Sequence, residues 1–322
     1  MNKNLISFAV AAVMAGGMSA VHANDVTVYG KVLMSIDNSD DAAGDSDTNL
    51  NSRNGFGAIG VKGSEDLGNG LTAMFQLEYG TNPAAGGEFG GRDQWLGLKG
   101  DFGAVRFGAM STNYKMSGAK LDPLWRTSLD IRETGGLSGL HGGKGEQGQG
   151  RATNTMRYDS PSFNGAKVVA NYTLDSGFDD EDGYGIGLHY DQGPLFASVD
   201  YINNGVDGED DAWKLGAKYS MDAIAVFGHY EQGGLVESFT GAGESDANRW
   251  HLGGSFAMGS TMFIATFGQS DDDAGTEADS WRLAVKHAMS KRTFVYGGFA
   301  RVDEDGAADE DDLFTVGMVH NF

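Results

Sequence analysis

One feature constrains this chain more than any other. Segments of about ten residues, alternately apolar and polar, recur from residue 25 to the C-terminus, with turn residues between them. A period of two puts successive side chains on opposite faces of a strand. Val26, Val28, Val32, Met34 and Ile36 share one face, and Thr27, Tyr29, Lys31 and Ser35 the other. The pattern returns in Leu71, Ala73, Phe75, Leu77 and Tyr79, in Tyr184, Ile186, Leu188 and Tyr190, and in Trp213, Leu215, Ala217 and Tyr219. Two details separate these strands from those of a soluble sandwich. Their apolar faces carry an aromatic at each end, as in Trp213 with Tyr219, Tyr184 with Tyr190 and Trp250 with Phe256, which is where two membrane interfaces place aromatics. Their polar faces carry Gly, Lys, Arg, His and Asp, which a dry core could not bury unpaired and a water-filled lumen accepts.

The connections alternate in kind. Short ones fall at Ser64–Gly70, Gly100–Gly103, Ser160–Gly165, Asp191–Pro194, Ser220–Asp222, Ala257–Ser260 and Ala288–Lys291. Longer, acidic ones fall near 38–53, 80–91, 111–150, 175–183, 203–211, 231–247, 270–279 and 303–311. Seven short turns and eight long loops join sixteen strands. The reading is an all-β, 16-stranded antiparallel transmembrane β-barrel with short turns on one side. Asp25–Asp37 and Leu313–Phe322 would pair to close it and remove its free edges. Alternation is blurred only at 260–270 and 291–302.

The first 23 residues read as a signal peptide: Lys3, a mostly apolar Leu5–Met18, and Val21-His22-Ala23 as a cleavage site. Residues 24–322 then form the barrel domain, and loss of Lys3 takes the net charge from −22 to −23. Beyond the leader no segment is apolar enough for a membrane-spanning helix, although strands can still cross. The acidity argues against nucleic acid as a partner, because phosphate binding needs a basic patch. Absence of Cys excludes disulfides and thiolate metal sites. The seven His are scattered, without a metal-binding pair. The Gly-rich 142–150 follows no Rossmann-type strand and opens no helix, so no cofactor or metal is expected. No nucleophile elbow is present, and an enzyme is not expected.

Particular stretches carry a family resemblance. They are Tyr29-Gly30-Lys31; Gly60 to Gly70 with Phe75-Gln76-Leu77-Glu78; Trp95 to Gly103; Arg157-Tyr158-Asp159-Ser160-Pro161-Ser162-Phe163; and the terminal Asn321-Phe322. Through them the chain resembles the general porins of Gram-negative bacteria. The resemblance implies a homotrimeric outer-membrane channel, exported through the periplasm, for passive diffusion of ions and small hydrophilic solutes. It also implies contact with outer-membrane lipid and lipopolysaccharide. The strand ending in Phe322 looks like the signal read by the barrel-assembly machinery. A substrate-selective porin is the nearest alternative, with Tyr114 and Trp125 as path-lining aromatics; a plugged structural or enzymatic barrel is the next.

A connection as long as 111–150 is usually functional, and in the general porins it folds into the lumen and narrows it. There Glu133-Thr134-Gly135-Gly136 resembles the family's constriction turn, which makes Glu133 the candidate acid, with Asp130 second by proximity and Asp122 third. The family's Pro before the Glu is Arg132 here. On the opposing wall, Lys31 matches the Lys of Tyr-Gly-Lys, and Arg92 and Arg151 match two constriction arginines by spacing. Arg106 shares the lumen parity of its strand, and a third family Arg falls on Ala58. The expected pore constriction is a transverse field between wall cations and loop carboxylates, focused by low-dielectric walls. The sign of ion preference stays open.

Overall fold

The computed structural model describes residues 25–40, 45–51, 57–87, 89–134, 150–174, 182–203, 211–236, 247–271, 275–307 and 309–322. The expected leader lies outside them. Sixteen strands are present among the described residues. They are β1 (Asp25–Asp40), β2 in two segments (Ser46–Asn51 and Gly57–Gly68), β3 (Leu71–Thr81), β4 (Gly90–Gly100), β5 (Gly103–Ser111), β6 (Arg151–Asp159), β7 (Ala166–Thr173) and β8 (Gly183–Gln192). The second half comprises β9 (Leu195–Asn203), β10 (Asp211–Met221), β11 (Ile224–Gln232), β12 (Asn248–Met258), β13 (Thr261–Asp271), β14 (Glu277–Ala288), β15 (Thr293–Glu304) and β16 (Asp311–Asn321). Each pairs antiparallel with the next. The sheet closes where Lys31–Asp40 of β1 pairs with Asp312–Asn321 of β16. Closure leaves no open edge, so the backbone satisfies its own hydrogen bonds in a medium that offers none.

The two faces fall as the alternation anticipates. Val26, Val28, Val32 and Ile36 are exposed on the outer face of β1, whereas Leu33, Ser35 and Asp37 are buried inside. Trp213, Tyr219, Tyr184 and Phe256 are exposed outward near strand ends. The blurred stretches are the strands β13 and β15. Their inner faces carry apolar Ile264, Tyr296 and Ala300, so the polar half of the alternation is missing there. The first long connection is shorter than 38–53, because β1 runs to Asp40 and β2 resumes at Ser46, with Asp40 opposite Ser46.

What those inner apolar residues meet is the third long loop. After β5, Thr112 caps a short helix α1 (Asn113–Gly118), its hydroxyl accepting from the Lys115 amide. Helix α1 packs against β7–β10. The chain then crosses to β14 and β15 through a 3-10 turn at Ile131–Thr134. Leu121 is buried against Gly216 of β10, and on the far side Leu124, Leu129 and Ile131 are wholly buried or nearly so. Leu124, Leu129 and Ile131 form one cluster with Leu33, Phe227, Ile264, Ala284, Tyr296, Ala300, Leu313 and Val319. The loop therefore has an apolar core of its own inside the barrel, sealed against one wall.

The Tyr29-Gly30-Lys31 motif divides its work. Tyr29 donates to Glu78 at 2.9 Å, and Lys31 donates to the Arg126 carbonyl at 2.8 Å. Gly30 exchanges both backbone hydrogen bonds with Phe322, and the Phe322 ring covers the space a Gly30 side chain would fill. Aromatics cover glycines in the same way at the neighbouring joints, Tyr29 over Gly60 and Tyr296 over Gly317. A Cβ at Gly30 would overlap the Phe322 ring and stand 2.8 Å from the Ala58 carbonyl. Gly30→Ala is accordingly expected to weaken the closing seam by about 1–3 kcal/mol. Heat-modifiability on gels checks this: the variant barrel should unfold at a lower temperature than the parent.

Candidate functional site

A cluster of charged groups lies where the loop comes nearest β1–β6. Two irregularities in the wall bring charges into it. In β4, Arg92 and Asp93 together oppose the single residue Glu78 of β3, a bulge. Strict alternation would send one of two adjacent residues outward; here both reach lumen partners. The Arg92 Nε donates to Glu78 at 2.5 Å, and Asp93 accepts from the Arg151 Nε at 2.5 Å. In β6, Thr153 and Asn154 similarly oppose Ala109, and Asn154 takes a left-handed φ of 47°. Beyond that bulge Arg151 is buried beside Asp93. Glu78 thus holds Tyr29 and Arg92 at once.

The loop supplies cations to the same region. Arg126 stands at φ 61°, a conformation that a non-glycine residue adopts only when its surroundings impose it. They do so here: Asp130 accepts from the Arg126 amide at 2.6 Å, and Lys31 donates to the Arg126 carbonyl. Arg126 is within electrostatic reach of Arg92, Arg151, Glu78 and Asp93. Burial first, and then the neighbouring Arg92, lower its guanidinium to about 10, so it keeps its charge at neutral pH. Lys115 of α1 adds to the group. Burial, followed by Arg151, Arg126 and Arg132, holds its ammonium well below the usual lysine range.

The geometry redistributes the roles read from the sequence. Lys31, Arg92 and Arg151 belong to the cluster. Asp130 is wholly buried, and its carboxylate accepts from the amides of Arg126 and Arg132 to hold the turn together. Asp122 is also buried and serves the loop rather than the lumen. The Glu133 side chain lies outside the described residues. Arg106 stands apart: it shares Asp159 with Arg157 and lies 5.0 Å over the Trp95 ring, toward the short-turn end of its strand. The described side chains of wall and loop are mixed in sign, and the expected facing acid, Glu133, is not among them. Carboxylates Glu78 and Asp93 sit on the wall, and the loop brings Lys115, Arg126 and Arg132. Of the two path-lining aromatics considered, Tyr114 is wholly buried, donating to Glu231 at 3.0 Å, and Trp125 packs against the apolar core.

Some of this was available to sequence reasoning and some was not. Glu78 was not singled out, although it shares the lumen parity of Gln76, the signal that could have found it. Asp93 shares the lumen parity of Trp95 and Gly97, a signal that could have found it, whereas Arg126 was hidden by lying in a loop with no period.

A family model described as Gram-negative porin matches residues 7–307. This chain belongs to that family. It is 30% identical to outer membrane porin protein 32 of Delftia acidovorans, over 93% of this chain and 89% of that one. It is 26% identical to the major outer membrane protein P.IB of Neisseria sicca, over the whole of both. Among solved structures it resembles an anion-selective porin from Comamonas acidovorans, with TM-score 0.80 and 27% identity over 92% of this chain and 99% of that one. It also shares its fold with OmpF of Salmonella typhi, at TM-score 0.72 and 17% identity over 93% of this chain and 98% of that one. This is an outer-membrane porin, and its transmembrane barrel forms a channel.

In this porin the wall pairs at the cluster are largely buried, so a lone partner is costly. Arg151→Ala would leave Asp93 without its guanidinium. Removing one member of a buried pair costs about 3–5 kcal/mol. The urea midpoint for barrel unfolding should drop accordingly, and Arg151→Met with Asp93→Leu should recover most of the loss.

Proposed function

We propose that the cluster around Arg126 is the pore constriction and that it makes this porin an anion-preferring diffusion channel for small hydrophilic solutes. The observation that carries the reading is Arg126 itself, held by both wall and loop within reach of Arg92 and Arg151. Four arginines (Arg92, Arg126, Arg132 and Arg151) and the basic side chains Lys31 and Lys115 are grouped there with three carboxylates (Glu78, Asp93 and Asp130) among the described residues. A positive excess within low-dielectric walls raises the local anion concentration. The similar Comamonas acidovorans structure is described as anion-selective, which agrees in sign. Arg106, paired below the cluster, steers ions toward the periplasmic exit. Glu133 is kept in this reading as the constriction acid that the family resemblance implies.

The rest of the reading follows the family. The channel works as a homotrimer in lipid and lipopolysaccharide, without catalysis. Residues 1–23 are removed on export, leaving 24–322 as the barrel domain, and the strand ending in Phe322 is presented to the assembly machinery.

Single-channel recording under a salt gradient tests the reading. Conductance in triplets and a reversal potential on the anion side are expected, and Arg126→Ala should cut the anion-to-cation permeability ratio several-fold. A cation-side potential in the parent protein would overturn it. The pH dependence has a definite sign. Because the Lys115 ammonium titrates below its ordinary 10.5, anion preference should fall as pH is raised through that lower value. Measuring the reversal potential across a pH series that ends at the ordinary 10.5 checks this. Ionic strength offers a further check, since the outer loops are acidic and the constriction is not. The Debye length is about 30 Å at 0.01 M and about 8 Å at 0.15 M. The outer acids oppose anion entry most strongly at low salt, so anion preference should rise between those concentrations.

A further inference from the structure

The groups that fix Arg126 lie mostly out of the lumen. Asp122 and Arg282 form an ion pair at 3.1 Å with both side chains almost completely buried. Asp122 closes the loop upon itself, accepting from the Leu124 amide at 2.9 Å and the Ile131 amide at 2.8 Å. Arg282, on β14, donates to both Asp122 oxygens and to the Leu129 carbonyl. One guanidinium therefore grips both ends of the segment 122–131. Arg126 lies in its middle, and the segment's apolar side chains face β14 and β15. Two more ties act on the same segment. Lys286 donates to the Pro123 carbonyl at 2.9 Å, and Ser128 donates to Asp37 at 2.9 Å with its hydroxyl 3.0 Å from that of Ser35.

We infer that the Asp122–Arg282 pair is a positioning device that sets the ion preference of the channel by holding Arg126 at its place over the lumen. The inference rests on the constriction reading above. The physical reason is geometric. Arg126 has an unfavourable φ that its own side chain cannot maintain, so the segment must be held from behind. Leu124, Leu129 and Ile131 supply attraction toward the wall but little direction, because apolar contact is not directional. The bidentate guanidinium supplies the direction. A buried pair of this kind is weak evidence for stability, since apolar residues of similar size often serve as well. Its position here accounts for an ion pair where packing alone would hold the loop in the barrel.

The experiment compares Arg282→Met, Arg282→Lys and the double variant Asp122→Leu/Arg282→Met with Arg126→Ala in planar bilayers. Both open-channel conductance and permeability ratio are read. Arg282→Met is expected to raise conductance and its noise and to lower the anion-to-cation ratio by about threefold, in the direction of Arg126→Ala. Arg282→Lys should keep part of the ratio. The double variant leaves no lone buried charge and so inserts even where the single one does not; it should lose the ratio too. A rescue separates position from stability. In the double-variant background, Ser35→Cys with Ser128→Cys can tie the loop to β1 in a chain that otherwise has no Cys. The oxidised form should regain the parent ratio and lose it again with dithiothreitol. If the double variant keeps the parent ratio while Arg126→Ala loses it, the positioning role is overturned and the constriction reading survives. If Arg126→Ala itself keeps the parent ratio, both are overturned.

Discussion

The constraint on which the rest of the structure depends is that the backbone has no hydrogen-bonding solvent in the bilayer interior. Every strand must find a partner on both sides, and the last must find the first. The seam between β1 and β16 is consequently built with care: ten paired positions from Lys31 to Asp40, two backbone bonds between Gly30 and Phe322, and a terminal ring seated on a glycine. Closure also decides where charge goes. With the outer face given to Val26, Val28, Val32 and their counterparts, the polar face encloses water, and function is written in the charges that line it.

The inside is not uniformly wet. One sector, from β11 through β16 to β1, carries an apolar lining, and the third loop is packed on it. The opposite sector, β1–β6, keeps its charged side chains turned toward the gap that remains. The loop is thus pressed to one wall by apolar contact, directed by Arg282 and Lys286, and faces the other with Arg126. Narrowing and charging the lumen are two consequences of a single packing event. The asymmetry also reconciles a strongly acidic chain with the positive constriction we propose. The acids collect in the outer loops, as at Asp309–Asp312, whereas the centre is supplied by Lys and Arg.

The barrel was legible because a period of two repeated sixteen times is hard to satisfy in any other way. Even the failures of the pattern were informative. Strands β13 and β15 read poorly because their inner faces meet the loop's leucines, so they are apolar on both sides. Lys31, Arg92 and Arg151 were named through the family resemblance, and the fold brings them into one cluster with Arg126. Asp130 and Asp122 were visible as acids in the right loop, but a carboxylate two or four residues from a backbone amide has a nearer partner than the lumen, and both took it.

What the sequence determined by itself was the architecture, because alternation gives strands and strands in a membrane must close; the class of activity was carried by the motifs of the family resemblance. Tertiary structure alone decided which charges face one another. A bulge turned Arg92 inward against the parity of the strand that follows it, beside Asp93. A left-handed backbone at Arg126, forced by Asp130 on one side and Lys31 on the other, placed a loop cation over the lumen. Those outcomes depend on contacts between residues far apart in the chain, such as Asp122 with Arg282, and no local pattern encodes them, because local pattern fixes the face a side chain takes and not the partner it meets there.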